Sequence, residues 1–188
     1  FCGSEAGNSI ADVIFGKVNP SGKLPFTFPV RIEDSPAHAL GAYTCGKDVH
    51  YKESIYVGYR WFDTKGIRPL FAFGHGLSYT EFEYGEVNVS SKVSANGVLK
   101  ASVKVKNIGS RDGKEIVQLY IGEENPLLER PTKELKAFEK VSLAPGETKT
   151  VKFEIPVSDL AYFNADTHSW VLDSGHKFTA YFAAASDD

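Results

Sequence analysis

Methionine is absent from the 188-residue chain, and cysteine and tryptophan occur only twice each. With no initiator residue and an opening of "FCGSEAGNSIADV", the chain reads as an internal or processed piece of a longer polypeptide. That opening has neither a basic lead nor an apolar h-region, so it is no signal peptide. No apolar run approaches the ~20 residues that a membrane-spanning helix needs. An excess of either charge is missing too, with 21 basic residues against 24 acidic ones. This balance gives neither the basic face that nucleic acid requires nor a polybasic membrane patch. Cys2 and Cys45 are too few for a disulfide framework; they pair in an oxidising compartment or remain two thiols. No CxxC or HExxH spacing occurs, and His38, His50, His75, His168 and His176 are scattered, so no metal or cofactor is expected.

What the chain does have is apolar and aromatic bulk, 42% and 13% of its residues, ample for a packed core. Ile10, Val13 and Ile14 have helical spacing, with Gly16 as a stop. Asn19-Pro20-Ser21-Gly22 has the chemistry of a type I turn. Leu24, Phe26 and Phe28 alternate as a short strand that Pro25 and Pro29 confine to an edge. Residues 30–67 show little regular period and read as a connector crossing a protein surface, pinned by Tyr51, Tyr56, Tyr59, Trp61 and Phe62.

From about Glu81 the period becomes two. In "VLKASVKVKN", Leu99, Ala101, Val103 and Val105 share one face of a half-buried antiparallel strand. Val117, Leu119 and Ile121 alternate with Ile116, Gln118 and Tyr120 in a strand covered on both faces. Further strands are expected near "GEVNVS", "KELKAFEKVSL", "TVKFEI", "SWVLD" and "HKFTAYFA". About seven short strands with turn signals between them predict an immunoglobulin- or fibronectin-III-like sandwich. The fold class is thus mainly β, a sandwich preceded by a connector and by the terminal helix and edge strand of an α/β unit.

Five runs carry a resemblance. "SIADVIFGKVNPSGKLPFTFP" resembles the end of the α/β sandwich domain of glycoside hydrolase family 3, the family of many β-glucosidases and β-xylosidases. "YVGYRWFDTKGIRPLFAFGHGLSYTEFEYG" is similar to that family's connector. "VKVKNIGSRDGKEIVQLYIG", "RPTKELKAFEKVSLAPGE" and "LDSGHKFTAYFAAAS" are similar to its fibronectin-III-like domain. The resemblance runs in family order over essentially the whole chain and implies three parts: 1–30 as the end of the α/β sandwich domain, 31–80 as the connector, 81–188 as the fibronectin-III-like domain. Where the family usually has a tryptophan-containing Pro-Gly-Gln-Glu-Gly-Gly-like run, "FCGSEAGN" keeps Gly3, Glu5 and Gly7 but lacks the proline and glutamine.

The resemblance also implies a retaining glycosidase with an aspartate nucleophile and a glutamate acid/base, both outside these residues. Its expected partners are the N-terminal barrel and α/β sandwich domains of the same enzyme and an oligosaccharide or aryl-glycoside substrate, and family habit implies a secreted or periplasmic location. Direct inspection also finds no catalytic pair. On a helix Glu5 and Asp12 are separated by about 10.5 Å of rise, too far for the ~5–5.5 Å of a retaining pair. Glu33-Asp34, Glu123-Glu124 and Asp187-Asp188 are sequence neighbours that read as solvated charges. The fragment alone is expected to be inactive.

Gly74-His75-Gly76 is either a histidine loop at a pocket or a hinge whose glycines adopt φ > 0; the aromatics around it favour the hinge. Tyr59, Arg60, Phe71, Phe73, His75 and Tyr79 are therefore expected at domain interfaces, Arg60 as an anchor for a carboxylate of the absent barrel. Trp61 is the candidate for stacking a sugar, against a core or interface role; Trp170 is expected in core or interface. Arg130 is expected to face solvent, and the sequon Asn88-Val89-Ser90 to carry no glycan. A second reading makes the chain an independent fibronectin-III-like carbohydrate-binding or interaction module. It ranks lower because such a module would not carry part of a helix and an orphan edge strand.

Overall fold

The computed structural model describes residues 3–43, 46–173 and 175–188, so the two cysteines and their possible pairing lie outside the described residues. Two three-stranded antiparallel sheets form the C-terminal half. One is ordered β1-β2-β5, from β1 (Phe82–Val89), β2 (Val98–Asn107) and β5 (Thr148–Pro156). The other is ordered β4-β3-β8, from β3 (Gly113–Glu123), β4 (Glu134–Leu143) and β8 (Phe178–Ala183). A hairpin of β6 (Tyr162–Asn164) and β7 (Ser169–Val171) stands apart; β6 is too short to show a period.

The alternation places the core as expected. Leu99, Ala101, Val103 and Val105 of β2 are buried with Val117, Leu119 and Ile121 of β3, and with Val151, Phe153 and Ile155 of β5. Register sets Val103 opposite Val151, Ala101 opposite Phe153 and Leu99 opposite Ile155, so these three β2 side chains meet apolar partners on the same face, while Val105 stands opposite Lys149. In β3 the second face is buried as well: Gln118 and Tyr120 are covered. That covering comes from the connector.

The connector departs from the irregular stretch its sequence predicts. It holds a 3-10 turn at Ile32–Asp34 and helices α2 (Pro36–Ala39) and α3 (Tyr59–Lys65), preceded by α1 (Ala6–Ile14). α3 is only seven residues, framed by Gly58 (φ 58°) and by the left-handed Gly66 (φ 62°), so it is shorter than the window over which a 3.6-residue period becomes visible. The edge strand expected at Leu24–Phe28 reduces to one bridge, Phe28 against Phe71. Leu24 N–H donates to His75 C=O (2.9 Å), Gly74 N–H to Leu24 C=O (2.8 Å) and Phe28 N–H to Phe71 C=O (2.8 Å). Pro25 and Pro29 supply no N–H, which keeps this narrow ribbon from becoming a ladder.

Candidate functional site

The functional geometry lies where connector, N-terminal segment and sandwich meet. α3 docks beside the start of β4. The Tyr59 hydroxyl accepts from Leu135 N–H at 2.8 Å. Arg60 pairs with Glu134 at 2.9 Å, Asp63 lies 3.7 Å from Lys133, and the Thr64 hydroxyl accepts from Thr132 N–H at 3.2 Å. Tyr59 also stacks on Phe73 (centroids 4.9 Å apart) and meets Tyr120 edge-on (5.7 Å), so burial raises the pKa of its phenol. The partner of Arg60 is thus a carboxylate of this same chain, where an anchor to another domain was expected.

Gly74-His75-Gly76 is set against this dock. Gly74 has φ +83°, and a Cβ there would lie 2.5 Å from the Gln118 amide oxygen. Gly76 does not use the left-handed region that the sequence led one to expect; a Cβ there would collide with the Gly22 carbonyl oxygen, so its glycine permits close backbone approach instead. Gln118 spans β3 and the chain end, its amide donating to Ala184 C=O while its oxygen accepts from the Tyr120 hydroxyl at 2.6 Å. The half-buried His75 ring lies 5.1 Å from the exposed Phe71 ring.

The N-terminal segment is tied to the same junction. Asn19 Oδ1 accepts from Tyr79 N–H (2.8 Å) and Ser78 Oγ (3.0 Å), and its amide donates to Asp112 C=O (2.9 Å). The Tyr79 hydroxyl donates to Val13 C=O at 2.7 Å, a carbonyl near the end of α1 that also accepts from Gly16 N–H at 3.0 Å. Lys23 reaches Glu115 of β3 at 2.9 Å. No sequence pattern announces Asn19, Lys23 or Glu115; the turn signal at 19–22 marks only where the first of them sits.

Away from this junction the N-terminal part is uncovered. No residue of α1 is buried; Ile14 is 68% exposed and Phe15 80%. Val18, Phe26, Val30, Ile32 and Leu70 continue the exposed apolar series. An apolar helix stripe with nothing packed on it within the described residues is half of an interface.

Two carboxylates do approach each other. Ligand atoms of Glu123, Asp173 and His176 lie within 4.8 Å of one another. The Glu123 side chain is only 2% exposed, held by Arg130 on one oxygen and by His176 Nδ1 at 2.7 Å on the other. No glycosidic oxygen can reach it, and the guanidinium already supplies the positive charge that a cation would bring. Arg130, expected in solvent, is largely buried because it also donates to Leu160 C=O (3.1 Å) and lies over the Tyr162 ring (5.3 Å).

The tryptophans divide sharply. Trp61 is 6% exposed, packed with Tyr56, Phe62 and Ile67, its indole N–H donating to Asp34 C=O at 3.0 Å; it offers no face to a sugar. Trp170, expected in core or interface, lies outside the core of this chain at 72% exposed, because β7 pairs only with β6 and nothing described covers its outer face.

Comparison with known proteins adds the following. A family model described as the glycosyl hydrolase family 3 C-terminal domain matches residues 1–79, and one described as a fibronectin type III-like domain matches residues 115–186. Beta-glucosidase BoGH3A of Bacteroides ovatus is 50% identical over 192 residues, covering 100% of this chain and 26% of that protein. Thermostable beta-glucosidase B of Acetivibrio thermocellus is 52% identical over 189 residues, covering 99% and 24%. The structure of beta-glucosidase 3B from Thermotoga neapolitana in complex with glucose superposes with a TM-score of 0.87 at 43% identity, over 97% of this chain and 25% of that one. The chain therefore spans about a quarter of the length of the relatives it matches.

Proposed function

The chain belongs to glycoside hydrolase family 3, as the C-terminal portion of such an enzyme, and on that premise we propose that it clamps together a retaining β-glucosidase whose catalytic carboxylates lie outside these residues. The observation that carries this reading is the bare apolar flank of α1, with Ile14 and Phe15 exposed beside a junction that is otherwise closed by hydrogen bonds and the Lys23–Glu115 pair. The chain supplies an edge for a neighbouring α/β unit, holds it with Tyr79 and Asn19, and fixes it to the sandwich through α3. The substrate class is a terminal β-linked glucosyl group, as the names of the relatives indicate for those proteins. Hydrolysis by the retaining route needs two carboxylates ~5–5.5 Å apart with access to the glycosidic bond. The sealed Glu123 environment denies that access here. Secretion or periplasmic residence belongs to the same reading, and cell fractionation tests it.

The test compares this chain with the full reading frame on p-nitrophenyl β-glucoside. The isolated chain is expected to be silent and the full polypeptide active. Hydrolysis by the isolated chain would overturn the proposal.

A further inference from the structure

The β6–β7 hairpin presents an aromatic pair that the clamp does not use. Phe163 and Trp170 are direct cross-strand partners on its outer face, with centroids 5.7 Å apart and planes at 72°. The inner face is fixed: the Tyr162 hydroxyl donates to Asp173 Oδ1 (3.3 Å), and the Tyr162 ring lies beneath Arg130. The turn is fixed as well, Asn164 Oδ1 accepting from Asp166 N–H (2.9 Å) and Thr167 N–H (3.2 Å). A rigid hairpin thus holds an indole in solvent, with Phe163 edge-on to set its orientation.

The surroundings of this pair differ from those of the α1 flank. There, exposed apolar residues follow one another, as suits burial by polypeptide. Here, the pair is bordered by exposed hydrogen-bonding groups: Asp166, Thr167 and His168, whose ring approaches Phe163 (6.5 Å). An apolar plate with a polar rim matches a pyranose ring, whose C–H face is apolar and whose hydroxyls radiate from its edge. β-Glucosyl units fit best, because their equatorial hydroxyls leave both ring faces free for stacking.

We propose that Trp170, oriented by Phe163, is a stacking site for β-linked glucan chains. The assignment of glucan as the ligand rests on the β-glucosidase reading above. The site would hold the enzyme near polymeric or oligomeric substrate while hydrolysis proceeds in the other domains.

The test uses the full-length enzyme, with retention on microcrystalline cellulose and in β-glucan affinity gels as one readout. Hydrolysis of p-nitrophenyl β-glucoside and the melting temperature are the others. Loss of one aromatic stacking contact weakens binding about tenfold. Trp170→Ala is expected to show that loss and Trp170→Phe to recover part of it, both with aryl-glucoside kcat/KM and melting temperature unchanged. Retention equal to wild type in Trp170→Ala, or no retention by the wild type, overturns the site. So does a fall in melting temperature or aryl-glucoside activity with Trp170→Ala, because it would mean that the indole is seated against another domain. If the wild type fails on the aryl glucoside but Trp170-dependent retention persists, the catalytic reading fails and the stacking site stands.

Discussion

Lys23 and Glu115 meet at 2.9 Å across the junction of the N-terminal segment and the sandwich, with both side chains largely withdrawn from water. Removing one partner from such a pair leaves an uncompensated buried charge and costs about 3–5 kcal/mol, whereas replacing both by apolar groups is often close to neutral. Lys23→Ala is therefore expected to lower the urea unfolding midpoint strongly, and Lys23→Met with Glu115→Leu to restore most of it. Equal losses for the single and double variants would mean that packing, not charge, ties the two parts.

Asp63 gives the α3 dock a pH dependence. Burial raises its pKa to about 6, against which Lys133, 3.7 Å away, pulls only weakly. A carboxyl whose folded pKa lies above its unfolded value stabilises the fold most when protonated. Its contribution is complete below the unfolded pKa and is lost as pH rises to about 6. Allowing for solvent screening, the loss between about pH 4 and 6 amounts to ~1–2 kcal/mol. Asp63→Asn is expected to flatten this slope and to be the more stable protein at pH 7; Lys133 keeps its contacts with the Tyr120 and Tyr181 rings. Thermal melts of both proteins from pH 4 to 8 decide it, and parallel curves would refute it.

The sandwich was legible because its signal is local and repeated. Leu99 to Val105 and Val151 to Ile155 alternate without interruption, and the apolar residues of both runs are buried. α3 was not legible: seven residues bounded by two glycines give no period, and its identity comes from what it touches, at positions 132 to 135. The dock consists of pairs distant in sequence, such as Lys23 with Glu115 and Arg60 with Glu134, which no one-dimensional pattern encodes. A core position for Trp170 failed for a related reason. Strand propensity placed it in β7, but only the sheet order shows that β7 belongs to a two-stranded hairpin.

Gly74 carries two requirements at once, a left-handed φ of +83° and the Gln118 amide where a Cβ would stand. Gly146 shares only the first, with φ +75° and open space around it. Gly146→Ala is expected to cost about 1 kcal/mol, the backbone penalty alone. Gly74→Ala should cost more, because Gln118 must give up its bonds to Ala184 and Tyr120 or the ribbon must shift. Hydrogen exchange at Leu24 and Ser186 should rise in Gly74→Ala only. Equal melting shifts for the two variants would refute the close-approach account.

Asn107 joins the end of the connector to the sandwich with every side-chain valence used. Its oxygen accepts from Thr80 Oγ1 (2.6 Å) and Gly109 N–H (3.0 Å), and its amide donates to Arg111 C=O (2.7 Å) and Leu143 C=O (3.0 Å). The residue is fully buried, so water cannot replace these bonds. Each buried group left unpaired costs about 1–3 kcal/mol, so Asn107→Leu is expected to destabilise by roughly 4 kcal/mol or more. Asn107→Asp separates geometry from charge. It keeps the two acceptor contacts but turns a carboxylate toward two carbonyl oxygens, a setting that favours the protonated acid and raises its pKa. Its deficit relative to wild type should therefore be small in acid and grow as pH rises through that raised value. A deficit that does not change with pH would show that shape alone, and not hydrogen bonding, selects asparagine here.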